Sequence, residues 1–375
     1  MNLKLLRKPH NPLEAYFMVG YHLALLVLLP FAWDQFSWAA AGFFLVTFVI
    51  GGLSITVGYH RLFSHRAYRA KPVFETATLL GSLLAVQGSA LLWSHDHRLH
   101  HKHTDTEKDP YSIKKGFWYA HMMWIFTHQR DFQESLVGDL MKNPRVLFQH
   151  RNYAILALTA NLVVLGLAML WMPFLAALVF ATLLRIFAIH HCTWFINSLA
   201  HTFGSKTYAR ELSAVDNAVL AFLTFGEGYH NYHHAFASDY RNGVRWYHFD
   251  PTKWVIWMAS KLGLVDRLQT MDSLKTQSLL VKKDRTLILD RLRHEADLAA
   301  HHLMERVTEQ AESFEKAIHD LRERMKERRR LAIEVGEQAV RREIRELKSR
   351  VRSEWRAWVA LTRHAQACYQ MEHSH

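Results

Sequence analysis

Ser94-His-Asp-His-Arg-Leu-His-His-Lys-His103 sets five histidines within ten residues, directly behind the apolar Leu91-Leu92-Trp93. Imidazole is the commonest metal ligand and stays neutral near physiological pH. Such a density at the end of a greasy segment points to a metal site at a membrane border. The spacing His97-x-x-His100-His101 recurs as His230-x-x-His233-His234, with Glu227 three residues ahead, and His60 and His65 form another pair. Asn197 and His201, four apart, share a helical face. At about 100° per residue, the first and last histidines of such a box point within about 40° of each other, and the middle one lies about 100° from the last. One helix therefore serves two neighbouring ions, so a dinuclear site follows.

The ligand type narrows the metal. Structural zinc usually recruits cysteine, but the only two cysteines, Cys192 and Cys368, stand far from the boxes. Magnesium and calcium want oxygen. Imidazole suits iron, copper and zinc; a nitrogen-rich pair at a membrane surface favours iron and dioxygen chemistry, with copper open.

Hydrophobic residues make up 50% of the 375 and crowd the first two thirds, while charge gathers after about residue 260. The net charge of +12 would suit nucleic acid or an anionic membrane; the long apolar runs select the membrane and exclude nucleic acid. Four segments reach the roughly 20 residues that a hydrocarbon core requires: about 15–33, 38–59, 153–171 and 173–195. They pair as two hairpins whose short turns, bordered by Trp33, Trp38 and Trp171, lack lysine and arginine. The positive-inside bias then places both termini, the middle segment and the site in the cytoplasm, and the expected location is a bacterial cytoplasmic membrane. A fifth apolar stretch, Ala77 to Trp93, must not cross, because crossing would part His60 and His65 from His97 and His101. The start is read as a retained anchor rather than a cleaved leader.

The expected fold is an all-α integral membrane protein: four spans, a cytosolic helical cap holding the dimetal site, and a C-terminal amphipathic or coiled-coil extension. The domains are 1–275 and 276–375. Apolar residues from Leu303 to Trp358 recur three and four apart, as in a long helical hairpin turning near Gly336. It packs on itself or supports self-association, with Arg328-Arg329-Arg330 as a membrane-surface option. Single histidines His10, His22, His121, His128, His150, His190, His191 and His248 read as interfacial or packed residues, and His103 as a non-ligand. Arg185, costly by roughly 3 kcal/mol or more if it faced lipid, is expected to turn inward toward a carboxylate.

The strings Gly58-Tyr-His-Arg-Leu-Phe-Ser-His65, Asp96-His-Arg-Leu-His-His-Lys-His-Thr-Asp105, Trp194-Phe-Ile-Asn-Ser-Leu-Ala-His201 and Gly226-Glu-Gly-Tyr-His-Asn-Tyr-His-His234 resemble the membrane fatty acyl desaturases of the stearoyl-CoA (Δ9) type over about residues 10 to 270. The resemblance implies a diiron enzyme that uses dioxygen to insert a cis double bond into a saturated acyl chain. His60, His65, His97, His101 and His233 would hold the first iron. His100, His201, His230 and His234 would hold the second, with Asn197 through a water. Glu227, Asp96, Asp105, Asp109 and Asp216 are candidate acceptors that would orient those imidazoles and set their basicity. With no cytochrome-like His-Pro-Gly-Gly stretch, electrons come from a separate ferredoxin, rubredoxin or cytochrome. The substrate is an acyl-CoA or phospholipid acyl chain, whose headgroup Arg66, Arg69, Lys71, Arg98 and Lys102 could meet. A membrane hydroxylase or a non-catalytic metal-binding scaffold are the alternatives.

Overall fold

A computed structural model describes residues 12–127, 132–293, 298–334 and 337–372. His10 and His128 lie outside them, as do the side chains of Arg329 and Arg330. The chain separates into two compact units, Met1–Thr270 and Met271–His375.

In the first unit, α1 (Pro12–Trp33) and α2 (Trp38–Leu53) are apolar along most of their length, α1 carrying Glu14 in its first turn and His22 further on. The Ser37 hydroxyl caps α2 by accepting from Ala40 N, supplying one of the bonds that a helix start lacks. Without a break α2 winds into a π-helix, Ser54–Ser64, so the apolar helix runs to Ser64 rather than ending near Tyr59. A two-residue strand β1 (Arg69–Ala70) pairs antiparallel with β2 (Val265–Asp266), a small exception in an otherwise helical protein.

Next, α3 (Pro72–Gly81) starts on a proline, which is suited to a first turn because its missing N–H has no partner there. The chain then turns through Val86, at φ 51°, and Gly88, at φ 84°, into α4 (Ala90–His103), capped by Ser89. The segments on either side of this turn meet at 84°. A β-branched residue at positive φ is strained; His190 steadies the turn by donating from Nε2 to Ala85 O at 2.8 Å. Because of the bend, His97 lies 4.6 Å from His60 and 4.8 Å from His65 between ring centroids, so these boxes share one side of any bilayer.

Short helices follow: α5 (Phe117–His121), α6 (Glu134–Val137) and α7 (Pro144–Arg151). A 79° bend leads to α8 (Tyr153–Met169). At 17 residues α8 stops two short of the expected Trp171. Among the described residues three helices are long and apolar enough to cross alone, Glu14–Trp33, Trp38–Ser64 and Phe174–His201. The bent pairs Pro72–Ala85 with Ala90–His103 and Pro144–Arg151 with Tyr153–Met169 would each add one more, so that three to five spans bracket the four expected. The helix Phe174–His201 comprises α9 (Phe174–Ala176), a π-helical stretch Ala177–Leu183, and α10 (Leu184–Ser198); it extends beyond Phe195 to carry His201. Leu25, Ala40, Ala168 and Phe180 pack the core near the short turns. Arg185 is fully buried but finds no carboxylate: it donates to Ala181 O at 3.0 Å, to Leu84 O and to Asn161 Oδ1. Neutral oxygens supplied by neighbouring helices satisfy its guanidinium. Finally come α11 (Ala218–Leu223), α12 (His230–Ala235) and α13 (Pro251–Lys261).

The second unit has three helices where the sequence suggests a hairpin: α14 (Ser273–Leu292), α15 (Leu298–Glu334) and α16 (Glu337–Glu372). Gln310–Glu354 at 2.7 Å, Asp320–Arg350 at 3.7 Å and Arg324–Glu343 set α15 and α16 antiparallel. Val307, Phe314, Leu321, Val340, Val351 and Trp358 form their core, and α14 adds Val281 and Ile288. Asp272 caps α14, so the unit starts before residue 276.

Candidate metal centre

His60 and His65 are five apart, a spacing that puts side chains about 140° apart on an α-helix. In a π-helix, with bonds five residues apart, winding falls to roughly 80° per residue and the pair closes to about 40°. The bond from His65 N to His60 O, 3.1 Å, is of this kind, and the two rings stand 4.7 Å apart. The second box rides on α4. The third occupies α12, where Asp216 Oδ1 accepts from Tyr232 N at 3.1 Å. Burial pushes the Asp216 carboxyl up to about 6 despite these N–H donors.

Nine rings fall into two groups, His60, His65, His97, His101 and His233, and His100, His201, His230 and His234, the ligand atoms of each lying within 4.8 Å of one another. Their contacts run Nε2 to Nε2. In the first group His60–His233 is 3.0 Å, His65–His97 is 2.7 Å and His101–His233 is 3.0 Å. In the second, His100–His234 is 3.2 Å, His201–His230 is 3.1 Å and His230–His234 is 3.0 Å. Adjacent ligands at right angles around an ion bound about 2.1 Å away would stand about 3 Å apart. Burial, and then the neighbouring rings, hold His230, His233 and His234 well below the usual imidazole range. They are therefore neutral, with lone pairs free to bind. The buried Nδ1 atoms of His230 and His233 lack hydrogen-bond partners, and neither group contains a thiol or carboxylate. This donor set fits two transition-metal ions.

The outer nitrogens explain which acidic candidates matter. His100 Nδ1 donates to Asp109 Oδ1 at 2.9 Å. Burial would raise the Asp109 carboxyl, but His100 and backbone donors from Tyr111 and Asp105 hold it below the usual range. His201 Nδ1 donates to Ser213 Oγ at 2.6 Å, and Ser213 in turn donates to Asp105. His60 Nδ1 lies 2.7 Å from Glu227 Oε2, close but not aligned as a hydrogen bond. Asp96 instead holds His95, at 2.9 Å, and His95 and His103 fall outside both groups. Partners of this kind typically change metal affinity 10- to 100-fold. Asp109→Asn should therefore weaken metal retention by about tenfold in chelator competition, with the fold intact.

Sequence reasoning missed Arg61 and Asp250. Arg61 is 1% exposed, donating to Glu227 Oε1 at 2.9 and 3.2 Å, to Asp250 at 2.9 and 3.1 Å, and to Tyr240 O at 2.7 Å. Asn242 Nδ2 adds 2.7 Å to Glu227. The first box is thereby locked to the third, although within its own string Arg61 looks like any membrane-border arginine. Arg66 and Arg98, expected near a headgroup, both hold Asp139, whose carboxyl they bring down to about 2 against the effect of burial.

One cavity of about 860 Å³ touches both groups, through His60 and His97 of the first and His100 and His230 of the second, with Asn197 also in its wall. That volume is within the range for one small ligand. Elsewhere the wall is mainly apolar, and beside His97 its polar side chains are hydrogen-bonded to one another. Trp93 stacks on His97 at 5.0 Å and donates to Gln87 Oε1 at 3.2 Å, while Gln87 Nε2 donates to Thr193 Oγ1 at 2.8 Å.

The family model "Fatty acid desaturase" matches residues 36–264, a stretch holding all nine rings. The chain belongs to the fatty acid desaturase family. The Schizosaccharomyces pombe "Probable acyl-CoA desaturase" is 44% identical over 255 residues, covering 67% of this chain and 53% of that protein. For the Saccharomyces cerevisiae "Acyl-CoA desaturase 1" the figures are 36% over 275 residues, 72% and 53%. This desaturase-family chain thus matches about half the length of those two relatives. The Anabaena variabilis "sn-1 stearoyl-lipid 9-desaturase" is 34% identical over 266 residues, covering 70% of this chain and 95% of that relative.

Proposed function

We propose that the protein is a membrane fatty acyl desaturase that inserts a cis double bond, at Δ9, into a saturated acyl chain with dioxygen and electrons from a separate one-electron carrier. The single observation that carries this reading is the meeting of two imidazole groups on one mainly apolar cavity. Two irons held there would supply oxygen activation; the ligand sets are the nine histidines grouped as above, with Asn197 reaching the second ion through water. In the proposed membrane arrangement, four spans form two hairpins, with α8 crossing as the short member and the centre facing the cytoplasm.

The rest is positional work by this chain. Holding one methylene pair against the site converts a hard reaction at an unactivated carbon into an oriented one. The linked Trp93, Gln87 and Thr193 leave no free polar group in that part of the wall, so the alkyl chain meets a rigid surface beside His97. Asp109 and the Ser213–Asp105 pair keep the His100 and His201 rings on their productive nitrogen.

Expression in a host lacking unsaturated fatty acids, together with an electron donor, should yield a new alkene that mass spectrometry places at carbon 9. An alcohol at that carbon would favour the hydroxylase, and no new product with a working donor would overturn the reading. The domain division carries its own expectation: a chain ending at Thr270 should keep its turnover within about twofold, as befits an independently packed unit.

A further inference from the structure

The cavity that touches both ring groups also reaches the outside of the helices, between α1 and α8. Near the short turns these two helices share one core, with Leu25 and Ala32 from α1 and Ala168 from α8. Toward the site they part, and Phe17 and Met18 on α1, with Ala154 and Leu158 on α8, line the cavity instead. Behind both lies α10. It is joined to α1 by the Tyr21 hydroxyl, which donates to His190 Nδ1 at 3.0 Å, and to α8 by Arg185, which donates to Asn161 Oδ1. Its Leu183 and Ile186 supply the floor. Phe17 and Leu158 are 37% and 61% exposed although both line the cavity, so the wall at this seam is one side chain thick. In the proposed membrane arrangement the seam faces hydrocarbon.

The rim of the seam is polar. Glu14 in the first turn of α1, His150 in the last turn of α7 and Tyr153 at the start of α8 line the same cavity. Ser89 Oγ accepts from Leu92 N at 3.4 Å and donates to His150 Nδ1 at 2.7 Å. The ring's own hydrogen therefore sits on His150 Nε2, which is buried and has no partner. Gly88 N donates to the Tyr153 hydroxyl at 3.0 Å, so the phenol hydrogen is left for another acceptor. A buried donor without an acceptor is costly, and an ester carbonyl is an acceptor of the right kind. Among the described residues no lysine or arginine lines the cavity, whereas the phosphates of a CoA thioester call for such partners.

We propose that the cavity takes its acyl chain sideways from the bilayer, through the seam between α1 and α8, and that the chain is still esterified to a glycerolipid. The inference rests on the desaturase reading and selects among the substrates open to it. The ester stays at the rim with His150 and Tyr153, and the methylenes run inward past Trp93 and His97. A chain on this route never crosses water, so no apolar surface has to be hydrated on the way in.

Two measurements test it. The full chain in bilayers, with no electron donor, is irradiated together with a phosphatidylglycerol whose stearoyl chain carries a diazirine. Adducts should form on Ile55 and Ile189, cavity-wall residues only 3% and 2% exposed, which lipid surrounding the protein does not reach. Ala154→Trp, which fills the seam, should lose these adducts. Val163→Trp, at an exposed position of α8 outside the cavity, should keep them. Adducts that arise only from a diazirine-bearing stearoyl-CoA, or that persist undiminished in Ala154→Trp, would overturn the proposal. In iron-loaded protein supplied with a donor, a double bond should appear in the stearoyl chain of bilayer phosphatidylglycerol with no thioester added, and Ala154→Trp should abolish it with iron content unchanged. Alkene formed from stearoyl-CoA alone would overturn the lipid substrate and leave the desaturase reading standing. Wild-type protein making no alkene from either would sink that reading, while the adducts decide the route separately. Should Ala154→Trp fail to fold, Leu158→Trp, at the same seam, carries the same outcomes.

Discussion

His233→Ala protein, fully reduced and supplied with a donor, makes no double bond above about a thousandth of the wild-type rate, and its iron drops from two to about one per chain. The reason is position. His233 Nε2 stands 3.0 Å from both His60 Nε2 and His101 Nε2, and its ring lies within 4.4 to 4.7 Å of His60, His65 and His101. It is the one member of the first group contributed by α12, so without it the other four rings close on nothing from that side. Metal analysis and product analysis on the same sample check the expectation. His301→Ala, on an exposed position of α15, serves as the control and leaves both unchanged. Full iron with full activity in His233→Ala would refute the assignment of the first group.

The second large effect is on stability. Arg61→Met removes a buried cation from between two buried carboxylates, Glu227 and Asp250, both nearly inaccessible. Breaking one side of such a network typically costs about 3–5 kcal/mol, because the remaining charges lose compensation without regaining water. At about 2–4 °C per kcal/mol, the apparent melting midpoint in detergent should fall by about 10 °C. Asp250 keeps its backbone donors from Asn242, Gly243 and Lys253, each at 2.9 Å, so Glu227 suffers more. It loses both guanidinium bonds to the first box and keeps Asn242 Nδ2 at 2.7 Å and the contact with His60. Arg61→Lys should recover little, since a single ammonium cannot reproduce a fork shared by two carboxylates. An unshifted midpoint in Arg61→Met would show that the network contributes little to stability.

Box spacing made much of this centre legible. Residues four apart on a helix must share a face, and His97 with His101, or His230 with His234, needed nothing more. His60 and His65 did not follow from that rule, because a five-residue separation converges only where the helix widens, and local composition does not announce a π-helix. Arg61 was invisible for another reason. Its partners lie 166 and 189 residues away, and no local pattern reports a distant carboxylate. Arg185 misled in the opposite sense: charge logic called for an acid, and backbone and amide oxygens answered instead. In the tail, periodicity identified α15 and α16, but the third helix, α14, is too evenly mixed in polarity to declare a face. The short α8 escaped notice because hydropathy alone cannot see that its helix stops at Met169.

The spread of the nine rings along the chain also fixes when the centre can come into being during biosynthesis. A nascent polypeptide finished through His201 already displays six of them, yet both sets still await members that the ribosome adds at positions 230 to 234. Neither group is complete until α12 has closed across 173 residues of sequence onto the first box. Closures over so long a stretch are slow. Assembly of the two ligand sets is thus a late step in folding, and an ion can be fully enclosed only after it.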